Sequence, residues 1–424
     1  MKFYIETFGC TANLGNSQDL SRALQEMDHI PSTLEDADTV IVNTCAVTEK
    51  TERKVLRRLG QLQGERLIVA GCLSVTVPES INGIRCRARL GLLNRSSAAC
   101  ISALFQKSVR RNMGELPASR RLEALPFSLS TSDSLCAVVN VAEGCNGSCS
   151  YCIVARARGR LKSRSEDDVA AQVKELAALG AAEVQISAQD TAAYGSDIGT
   201  DLGRLLSRLA EIPGDFRLRV GMMNPNSALM IKDQLIAAYQ SPKIYRFLHI
   251  PVQSGSPEIL RSMGRKYSAE DFLKLVSDFR SFFPKITVIT DVITGFPGET
   301  DEDFMQTVRL IDRLQPDKVN ITRFSPRPGT AAAFMYDMPD RIKKDRSREL
   351  TRLWLHIAAQ RNSQYIGQVL QARITERGRD GTMKARTENY LGVIIKGHPN
   401  LGTSIGVLVD ECNAFYVTGQ IVNG

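Results

Sequence analysis

Three closely spaced cysteines carry the clearest chemical signal in this sequence. Cys145, Cys149 and Cys152 form the pattern Cys-x3-Cys-x2-Cys within the stretch GCNGSCSYC. A structural zinc site closes with four ligands, and the next candidate ligand, His249, lies far along the chain. Three thiolates can instead hold an iron–sulfur cubane and leave one iron open. We therefore expect a 4Fe-4S cluster here, with a zinc knuckle completed from a distant residue, or a chance spacing, as the alternative.

Alternating strands and helices must position this cysteine loop. The apolar run LCAVVNVAEGC leads into it, and a helix capped by Ser165 and ended by Gly180 follows it. In total, six strands and five intervening helices alternate between residues 137 and 324. This alternation predicts parallel strands in a partial (βα)6 barrel, whose ligands lie at the carboxyl ends of the strands. The polar residues predicted at those ends are Gln189, Asp190, Asn224, His249, Gln253, Glu299 and Arg327.

Three more cysteines each end an apolar run near the N-terminus. FYIETFGC ends at Cys10, DTVIVNTC at Cys45 and RLIVAGC at Cys72, with helical stretches between them. Parallel strands about 5 Å apart would bring the three thiols to one edge of a sheet, within reach of one cubane. A buried core cysteine is the alternative for each of them. The remaining cysteines show no such placement and are expected to be structural or incidental: Cys86, Cys100, Cys136 and Cys412.

The composition is that of a basic globular protein with several domains. A chain of 424 residues is too long for one hydrophobic core, so two or three domains are expected. Its formal charge of +8 and pI of about 9.0 suggest a polyanionic partner, although basic proteins without one are common. The N-terminus MKFYIETFGC lacks the features of a signal peptide, and no apolar run reaches the length of a membrane span. We expect a cytoplasmic protein without a membrane segment, in which structural disulfides are rare.

The cysteine loop resembles the signature of the radical S-adenosylmethionine superfamily, and longer segments resemble the methylthiotransferase family. Those segments are FGCTANLGNSQ, VNTCAVTEKTERK, VAGCL, AEGCNGSCSYCIVARARGRLKSR, SAQDTAAYG, RVGMMNPN, PVQSGS, VITGFPGET and SPRPGT. GCTANLGNSQ, AQDTAAYGSDIGTDL and RVGMMNPN resemble most the archaeal and eukaryotic branch. That branch modifies threonylcarbamoyladenosine beside the anticodon of tRNA. The other branches act on isopentenyladenosine in tRNA or on an aspartate of a ribosomal protein, and both remain alternatives.

The resemblance implies two clusters and a radical reaction. It implies that an auxiliary 4Fe-4S cluster is held by Cys10, Cys45 and Cys72, and the radical cluster by Cys145, Cys149 and Cys152. The reaction would insert a methylthio group at C2 of the adenine and use two S-adenosylmethionine molecules per turnover. A flavodoxin or ferredoxin-like protein would donate electrons, whereas the sulfur donor stays open. A radical enzyme with a protein acceptor and a non-catalytic RNA-binding iron–sulfur protein are the other classes considered.

A few residues are predicted to contact the cofactor. Tyr151 precedes the last loop cysteine, where the family places an aromatic ring near the adenine, and GFPGET resembles the family's adenine-contacting segment. A plain strand-to-helix turn is the alternative for that segment. The predicted cofactor-binding residues are Tyr151, Gln189, Gly295, Gly298 and Glu299. No catalytic residue is assigned, and His249 is expected to be a core or rim histidine.

Basic residues after the loop and near the C-terminus are predicted to bind RNA. In the first group, alternate residues would face one side of an extended segment and form a phosphate track for the anticodon stem-loop. A solvated strand edge is the alternative. This group comprises Arg156, Arg158, Arg160, Lys162 and Arg164. The second group comprises Lys384 and Arg386, with Tyr390, Arg373 and Arg377 beside them; a solvated basic face is its alternative.

The predicted fold class is therefore α/β with a small β domain at the end. Residues 1–105 form an N-terminal α/β domain with a parallel sheet, and 106–130 form a linker. Residues 131–362 form the partial barrel. From 363 to 424 the short β runs resemble the TRAM module, a small β-barrel. Arg327 is a candidate partner for the carboxylate of threonylcarbamoyladenosine, and a salt bridge at the barrel rim is its alternative.

Overall fold

The structure is a computed structural model, and it describes residues 1–112 and 135–422. The contacts between residues divide the chain into two compact units. The first unit comprises Met1–Ser128, Cys152–Gly159 and Arg327–Gly329. The second comprises Leu129–Tyr151, Arg160–Pro326 and Thr330–Gly424. The predicted linker begins too early, because residues 106–112 belong to a helix that ends at Asn112, and its remainder lies outside the described residues.

A parallel sheet forms the middle of the first unit. Its strands are β1 (Lys2–Thr7), β2 (Ile30–Pro31), β3 (Thr39–Thr44), β4 (Gly64–Gly71) and β5 (Cys86–Arg89). They lie in the order β2-β1-β3-β4-β5, and all neighbouring pairs are parallel. The adjacent strands β1, β3 and β4 are the three predicted to precede cysteines. All six residues of β3 are buried, as expected for a central strand covered on both faces.

Helices cover both faces of this sheet. They are α1 (Thr11–Gln25), α2 (Glu49–Leu62), α3 (Cys72–Thr76), α4 (Ser97–Asn112) and α5 (Val154–Arg158). On one face Val42 packs in a cluster with Leu59 of α2 and Ala157 of α5. On the other face Ile41 packs in a cluster with Leu24 of α1. The sheet therefore has a hydrophobic core on each side, and α1 and α3 begin at or beside the cysteines that follow the strands.

A partial barrel dominates the second unit. Its strands are β6 (Cys136–Asn140), β7 (Ala142–Glu143), β8 (Lys162–Ser163), β9 (Glu183–Ser187), β10 (Arg217–Val220), β11 (Phe247–His249), β12 (Thr287–Thr294) and β13 (Lys318–Arg323). Two three-stranded parallel sheets, β10-β9-β6 and β11-β12-β13, are linked by a parallel bridge between Leu218 and Ile244. The short antiparallel pair β7 and β8 lies outside them. The six parallel strands confirm the predicted barrel.

The helices of this barrel are α6 (Glu166–Ala178), α7 (Leu202–Glu211), α8 (Pro225–Met230), α9 (Lys232–Ala238), α10 (Pro257–Ser262), α11 (Ala269–Phe282), α12 (Asp301–Leu314) and α13 (Asp340–Ser363). Ser165 caps α6 as predicted, because its hydroxyl accepts the Asp168 N–H at 3.1 Å. Reciprocal capping boxes begin α11 at Ser268 and α12 at Thr300. Where the predicted alternation has a single helix between β10 and β11, the structure has two, α8 and α9, which meet at Ile231.

A closed β-barrel ends the chain. Its strands are β14 (Val369–Arg377), β15 (Thr382–Thr387), β16 (Gly392–Lys396), β17 (Ser404–Cys412) and β18 (Val417–Val422), in the order β14-β15-β16-β18-β17. Ile374, Ala385, Ile395 and Val407 fill its interior. The small barrel is therefore confirmed. Among the helices in the described part of the chain, none is both long enough and apolar enough to cross a membrane.

Candidate metal centres

The N-terminal cysteines follow three neighbouring strand ends. Thr7 at the end of β1 is opposite Asn43 of β3, and Thr44 at the end of β3 is opposite Gly71 of β4. Cys10, Cys45 and Cys72 therefore leave the sheet at the same edge, as the sequence predicts. Cys45 and Cys72 are buried, whereas Cys10 is exposed.

Two glycines allow these strand ends to approach one another. Gly9 and Gly71 directly precede Cys10 and Cys72, and both have positive φ, at 103° and 98°. A Cβ atom on Gly9 would lie 2.6 Å from the Cys45 Sγ, and one on Gly71 would lie 2.5 Å from the Asn43 Oδ1. Only glycine fits both the backbone conformation and the space, so each Gly-Cys pair serves the packing of the site.

Asn13 lies at the centre of this site. Its side chain is fully buried and donates two hydrogen bonds, to the carbonyls of Phe8 at 2.8 Å and Thr44 at 2.9 Å. Its Oδ1 lies 3.9 Å from the Cys72 Sγ. One amide therefore connects the backbone after β1, the end of β3 and the cysteine after β4.

Arg158 reaches the same amide from the segment that follows Cys152. Its guanidinium donates to the Oδ1 of Asn13 at 2.7 Å and to the Oδ1 of Asn16 at 2.9 Å. Arg158 is only 8% exposed. A buried cation thus lies beside the N-terminal cysteines.

The thiols themselves influence one another. The pKa of Cys45 is raised to about 11, first by burial and to a smaller extent by the nearby Cys10 and Cys72, whereas a hydrogen bond with the Val47 backbone and the charge of Arg158 oppose the rise. Within the described residues, no three thiol, imidazole or carboxylate groups surround a single metal ion. In a cubane each thiolate binds a different iron, so its ligands stand farther apart than ligands of one ion do.

The second cysteine loop is stabilised by local contacts. A Cβ on Gly147 would lie 3.2 Å from the Cys145 Sγ and 3.7 Å from the Cys149 Sγ, so both thiols flank this glycine. The Gly147 N–H donates to the Cys145 Sγ at 3.2 Å. Gln189, predicted to bind the cofactor, accepts the N–H of Gly144 at 2.7 Å through its Oε1 and so fixes the start of the loop.

A turn after α10 supports the loop from behind. Ser150 donates its N–H to the Met263 carbonyl at 3.1 Å and its hydroxyl to the Ser262 carbonyl at 2.9 Å. Gly264, with φ of 72°, leaves no room for a side chain, because its Cβ would lie 2.7 Å from the Ser148 carbonyl oxygen. The turn therefore fixes the backbone on either side of Cys149.

Tyr151 lies in an aromatic and cationic environment. Its hydroxyl accepts a hydrogen bond from Arg265, whose guanidinium lies 5.6 Å from the centre of the Tyr151 ring. Its ring meets Phe296 edge-on at 6.1 Å. Burial raises the pKa of Tyr151, so the phenol stays neutral. The contact with Phe296 joins the cysteine loop to the GFPGET segment.

The GFPGET segment is a buried turn held by an ion pair. Glu299 is 4% exposed, and its Oε2 accepts the Gly295 N–H at 2.7 Å and Arg346 Nη1 at 2.6 Å. Burial raises the pKa of Glu299. Lys343 packs against Gly295, at which a Cβ would lie 2.2 Å from its Cγ. Glu299 thus positions the turn, and Gly298, with no atom of the described chain within 4 Å of an added Cβ, leaves the backbone accessible.

The arginine segment after the loop differs from the prediction. Its first part is the helix α5 rather than an extended strand, so the five cations do not share one face. Arg158 is buried, and Arg164 donates to the Asn140 carbonyl at 3.1 Å and to the Gln172 Oε1 at 2.6 Å. Apolar residues that pack against α5 stabilise a helix here, whereas the alternating arginines had predicted an extended segment. Exposed cations remain at Arg156, Arg160 and Lys162.

Two polar residues of the barrel have partners within the chain. His249 forms a hydrogen bond through its Nε2 with the Oδ2 of Asp291 at 2.5 Å, and Asn320 donates to the Oδ1 of Asp291 at 3.1 Å. This agrees with a rim histidine. Arg327 is buried and forms an ion pair with Glu52 of α2, a residue of the first unit and not of the barrel rim that its alternative named.

Most of the C-terminal residues predicted to bind RNA contact protein instead. Tyr390 donates its hydroxyl to the Glu183 Oε1 at 2.7 Å, and its ring lies 4.8 Å from Phe247, so it fills the amino end of the partial barrel. Arg373 pairs with Asp215 through two bonds of 2.7 and 2.9 Å. Arg386 stacks over Tyr390 at 4.7 Å. Side chains along a β-strand alternate between its two faces, and the sequence alone did not show which of the two faces is covered by protein.

Two other residues of this group lie nearer the surface. Lys384 forms an ion pair of 3.1 Å with Glu376, and both side chains are partly exposed. Arg377 is exposed. These two cations remain candidates for contacts with a polyanion.

Sequence reasoning missed several residues around the two sites. Asn13 and Arg265 had no signal beyond being polar residues near a cysteine motif. Phe334 and Tyr336 are 86% and 81% exposed, and Ala332 just before them donates its N–H to the Ser150 carbonyl at 2.8 Å. Large aromatic residues in a stretch rich in alanine and methionine, AAAFMYDM, were the signal that could have identified this surface.

Comparisons with known proteins assign each part of the chain. The pattern of the Radical SAM superfamily matches residues 139–311, the TRAM domain matches 363–422, and Uncharacterized protein family UPF0004 matches 2–89. A radical S-adenosylmethionine methyltransferase from Kitasatospora setae has a similar fold, with a TM-score of 0.55 and 16% identity over 78% of this chain and 77% of that chain.

Full-length relatives identify the family. A Pyrococcus abyssi protein named as a threonylcarbamoyladenosine tRNA methylthiotransferase is 41% identical over 100% of both chains. A tRNA-2-methylthio-N(6)-dimethylallyladenosine synthase from Sulfurihydrogenibium is 31% identical, again over 100% of both chains. The family prediction is therefore confirmed: this chain belongs to the tRNA methylthiotransferase family of radical S-adenosylmethionine enzymes, in the group named for threonylcarbamoyladenosine.

Proposed function

We propose that this enzyme inserts a methylthio group at C2 of threonylcarbamoyladenosine beside the anticodon of tRNA. The observation that carries the proposal is the presence of both cysteine triads in a chain that matches relatives of that name from end to end. Methylthiolation of isopentenyladenosine is the second candidate, because the dimethylallyladenosine synthase also matches the whole chain.

The two sites fit two 4Fe-4S clusters. Thiolates are the ligands that iron–sulfur clusters prefer, and three of them leave one iron open. We assign the auxiliary cluster to Cys10, Cys45 and Cys72, and the radical cluster to Cys145, Cys149 and Cys152. When bound, the radical cluster and two S-adenosylmethionine molecules would supply a radical and a methyl group, and the auxiliary cluster would carry the sulfur, whose donor stays open.

The protein's own residues hold these groups in place and exclude water. Gln189 fixes the start of the loop through Gly144, and Tyr151 packs between Arg265 and Phe296 at its end. The backbone around Gly298 is the proposed contact for the nucleoside part of the cofactor. Such positioning converts encounters between separate molecules into reaction at one fixed geometry.

The surface near the cysteine loop suits single-stranded RNA. Arg160 and Lys162 are exposed cations that can contact phosphates, and Phe334 and Tyr336 are exposed rings on which unpaired bases can stack. The hydrogen bond from Ala332 to Ser150 connects these rings to the loop that carries Cys149. Together they provide positive charge and stacking for an anticodon loop.

Substitution of both rings tests this RNA surface. Phe334→Ala with Tyr336→Ala should raise the KM for tRNA by tenfold or more, because stacking contributes about 1–3 kcal/mol per base. Cleavage of S-adenosylmethionine without tRNA should not change. Phe282→Ala removes another exposed ring, 57% exposed at the end of α11, and serves as the control. If Phe282→Ala raised the KM for tRNA as much as the double substitution does, the assignment of Phe334 and Tyr336 to RNA binding would be wrong.

Turnover with three tRNAs tests the proposed acceptor. One tRNA is unmodified, one is isopentenylated and one is threonylcarbamoylated, and the products are identified by mass spectrometry of nucleosides. Methylthiolation of only the third supports the proposal, because a pocket with polar groups for its carboxylate discriminates strongly against an apolar substituent. Turnover of the isopentenylated tRNA would place the enzyme in the other group. The same assay, with flavodoxin or ferredoxin as the only reductant, tests the proposed electron donor.

A further inference from the structure

Three polar side chains form a hydrogen-bonded group across neighbouring strands of the partial barrel. His249 ends β11, Asp291 lies in β12 and Asn320 lies in β13. The Oδ2 of Asp291 lies 2.5 Å from the Nε2 of His249, and its Oδ1 accepts a hydrogen bond from the Asn320 side chain at 3.1 Å. Both oxygens of one carboxylate are thus held by partners from the strands on either side.

The inner face of β11 can be identified from its contacts. Phe247 lies 4.8 Å from the ring of Tyr390, which fills the amino end of the barrel, and the guanidinium of Arg219 lies 4.8 Å from the centre of the Phe247 ring. Side chains two residues apart on a strand point to the same face, so His249 faces the interior above this floor. It therefore lies between the closed amino end and the carboxyl ends of the strands, where ligands bind in this kind of fold.

The other two residues face the same interior. Val288 and Val292 of β12 pack in the hydrophobic core with helix residues such as Leu275 of α11, so Asp291 points to the opposite face of the strand. Asn320 lies directly beside Asp291 in the parallel register of β12 and β13. We call His249, Asp291 and Asn320 the lumen group.

The lumen group is accessible from within the barrel. The side chains of His249 and Asp291 are 19% and 30% exposed, although Leu248 and Ile250, the chain neighbours of His249, are fully buried. Among the residues that the structure describes, none forms a hydrogen bond with the Nδ1 of His249. One ring nitrogen is therefore fixed by Asp291, and the other can meet a ligand.

The charge and shape of the lumen group indicate the chemistry of that ligand. The carboxylate of Asp291 repels a phosphate or a second carboxylate, so an uncharged group suits this site better than an anion. The half-buried Ile289, opposite His249 in the register of β11 and β12, offers an apolar surface beside the imidazole. A nucleobase has a flat apolar face and ring nitrogens that hydrogen-bond in its plane, and enzymes that act on a base bind it in such pockets outside the stack.

We propose that the lumen group receives the acceptor base of the RNA, with the Nδ1 of His249 hydrogen-bonded to the base and Asp291 positioning the imidazole. This inference rests on the proposed function and assigns its base pocket. His249 is then a substrate-binding residue, whereas Asp291 and Asn320 are positioning residues. Because of the charge of Asp291, the carboxylate of the threonylcarbamoyl group must bind outside this group.

A binding measurement with two RNAs tests the contact. The reconstituted full-length enzyme is titrated with an anticodon stem-loop RNA that carries threonylcarbamoyladenosine, and with the same RNA in which that nucleotide has no base. The parent should bind the modified RNA more tightly than the abasic one. His249→Gln should weaken binding of the modified RNA about tenfold, the effect of one lost hydrogen bond, and leave binding of the abasic RNA unchanged. Cleavage of S-adenosylmethionine without RNA should stay at the parent's rate.

Further variants separate contact with the base from support of the fold. Glutamine places its amide near the position of Nε2 and can keep the bond to Asp291, whereas asparagine places its amide near Nδ1. His249→Asn should therefore bind the modified RNA more tightly than His249→Gln does, which is the reverse of what a purely structural role predicts. Asp291→Asn should also weaken this binding, and its combination with His249→Gln should weaken it no more than His249→Gln alone. His356→Gln removes an exposed imidazole of α13 and is the control.

Three results would overturn this inference. They are equal affinity of His249→Gln and the parent for the modified RNA, an equal loss of affinity on both RNAs, and weaker binding of S-adenosylmethionine in the absence of RNA, which would assign the lumen group to the cofactor. The proposed function fails on a different result. A parent enzyme that binds the threonylcarbamoylated RNA no more tightly than the abasic RNA would contradict that function, and the inference about His249 with it.

Discussion

In the N-terminal site, the three cysteines follow three separate strands and their neighbours are connected by one buried amide, that of Asn13. In the second site, the cysteines share a single loop, and a turn at Gly264 supports Cys149 from behind. In the first arrangement the cysteines themselves come from distant parts of the sequence, whereas in the second they lie on one short loop, which Gln189 and the turn at Gly264 hold in place. We therefore expect damage to the first site to destabilise its whole unit, and damage to the second to change metal binding with little loss of folding.

The largest effect should come from Asn13→Ala. The change removes the side-chain donor to the buried carbonyls of Phe8 and Thr44 and one hydrogen-bond acceptor of Arg158, which keeps its bond to Asn16. At about 1–3 kcal/mol for each unsatisfied group, we expect the free energy of unfolding of the metal-free N-terminal unit to fall by about 3 kcal/mol or more. Urea denaturation monitored by circular dichroism measures this.

An exposed asparagine of the same unit provides the control for this change. The side chain of Asn82 accepts a hydrogen bond from Arg89 at 3.0 Å at the surface, so Asn82→Ala should cost less than about 0.5 kcal/mol. A small loss for Asn13→Ala would show that the strand ends hold the site without this amide.

An intermediate effect is expected from Gly264→Ala. A non-glycine residue at φ of 72° costs about 1–2 kcal/mol, and its Cβ would press on the Ser148 carbonyl. The reconstituted chain should lose iron from the loop site and cleave S-adenosylmethionine more slowly, with the other cluster retained. Iron analysis and the yield of 5′-deoxyadenosine check both.

Gly180→Ala is the matched control for Gly264→Ala. Gly180 has a similar φ of 87°, but no described atom lies within 4 Å of an added Cβ. The change should therefore cost the same backbone strain and leave the iron content untouched. Equal loss of iron in the two variants would mean that general destabilisation, rather than pressure on the loop, empties the site.

The smallest effect should come from Tyr390→Phe, which acts at the amino end of the barrel. The ring keeps its contact with Phe247, and only the hydrogen bond to Glu183 is lost. We expect a loss of about 1–2 kcal/mol in thermal or urea stability and no change in the iron content of either site. A change in iron content would show that the two cysteine sites depend on a part of the fold that does not contact them.

The sequence predicted the cysteines better than their surroundings. The spacing of the loop and the strand ends before Cys10, Cys45 and Cys72 follow from local patterns that any parallel fold preserves. Arg158 and Tyr390 show where such patterns fail. An alternating pattern shows which residues share a face only when the secondary structure is known. The segment predicted to be extended forms the helix α5 instead. Which face of β15 and its turn is covered depends on a contact with Glu183, more than two hundred residues away in the chain.

The position of Tyr390 also has a consequence for how the protein folds during its synthesis. Tyr390 and Arg373 belong to the last part of the chain, yet they contact Glu183, Phe247 and Asp215 around the start of the barrel strands. During synthesis the N-terminal parts of a chain emerge and fold first. The amino end of the barrel therefore stays open to water until the ribosome has released the C-terminal segment. A chain that stops before residue 363 would leave this end permanently uncovered, so the partial barrel cannot be separated from the C-terminal β-barrel without exposing its own interior.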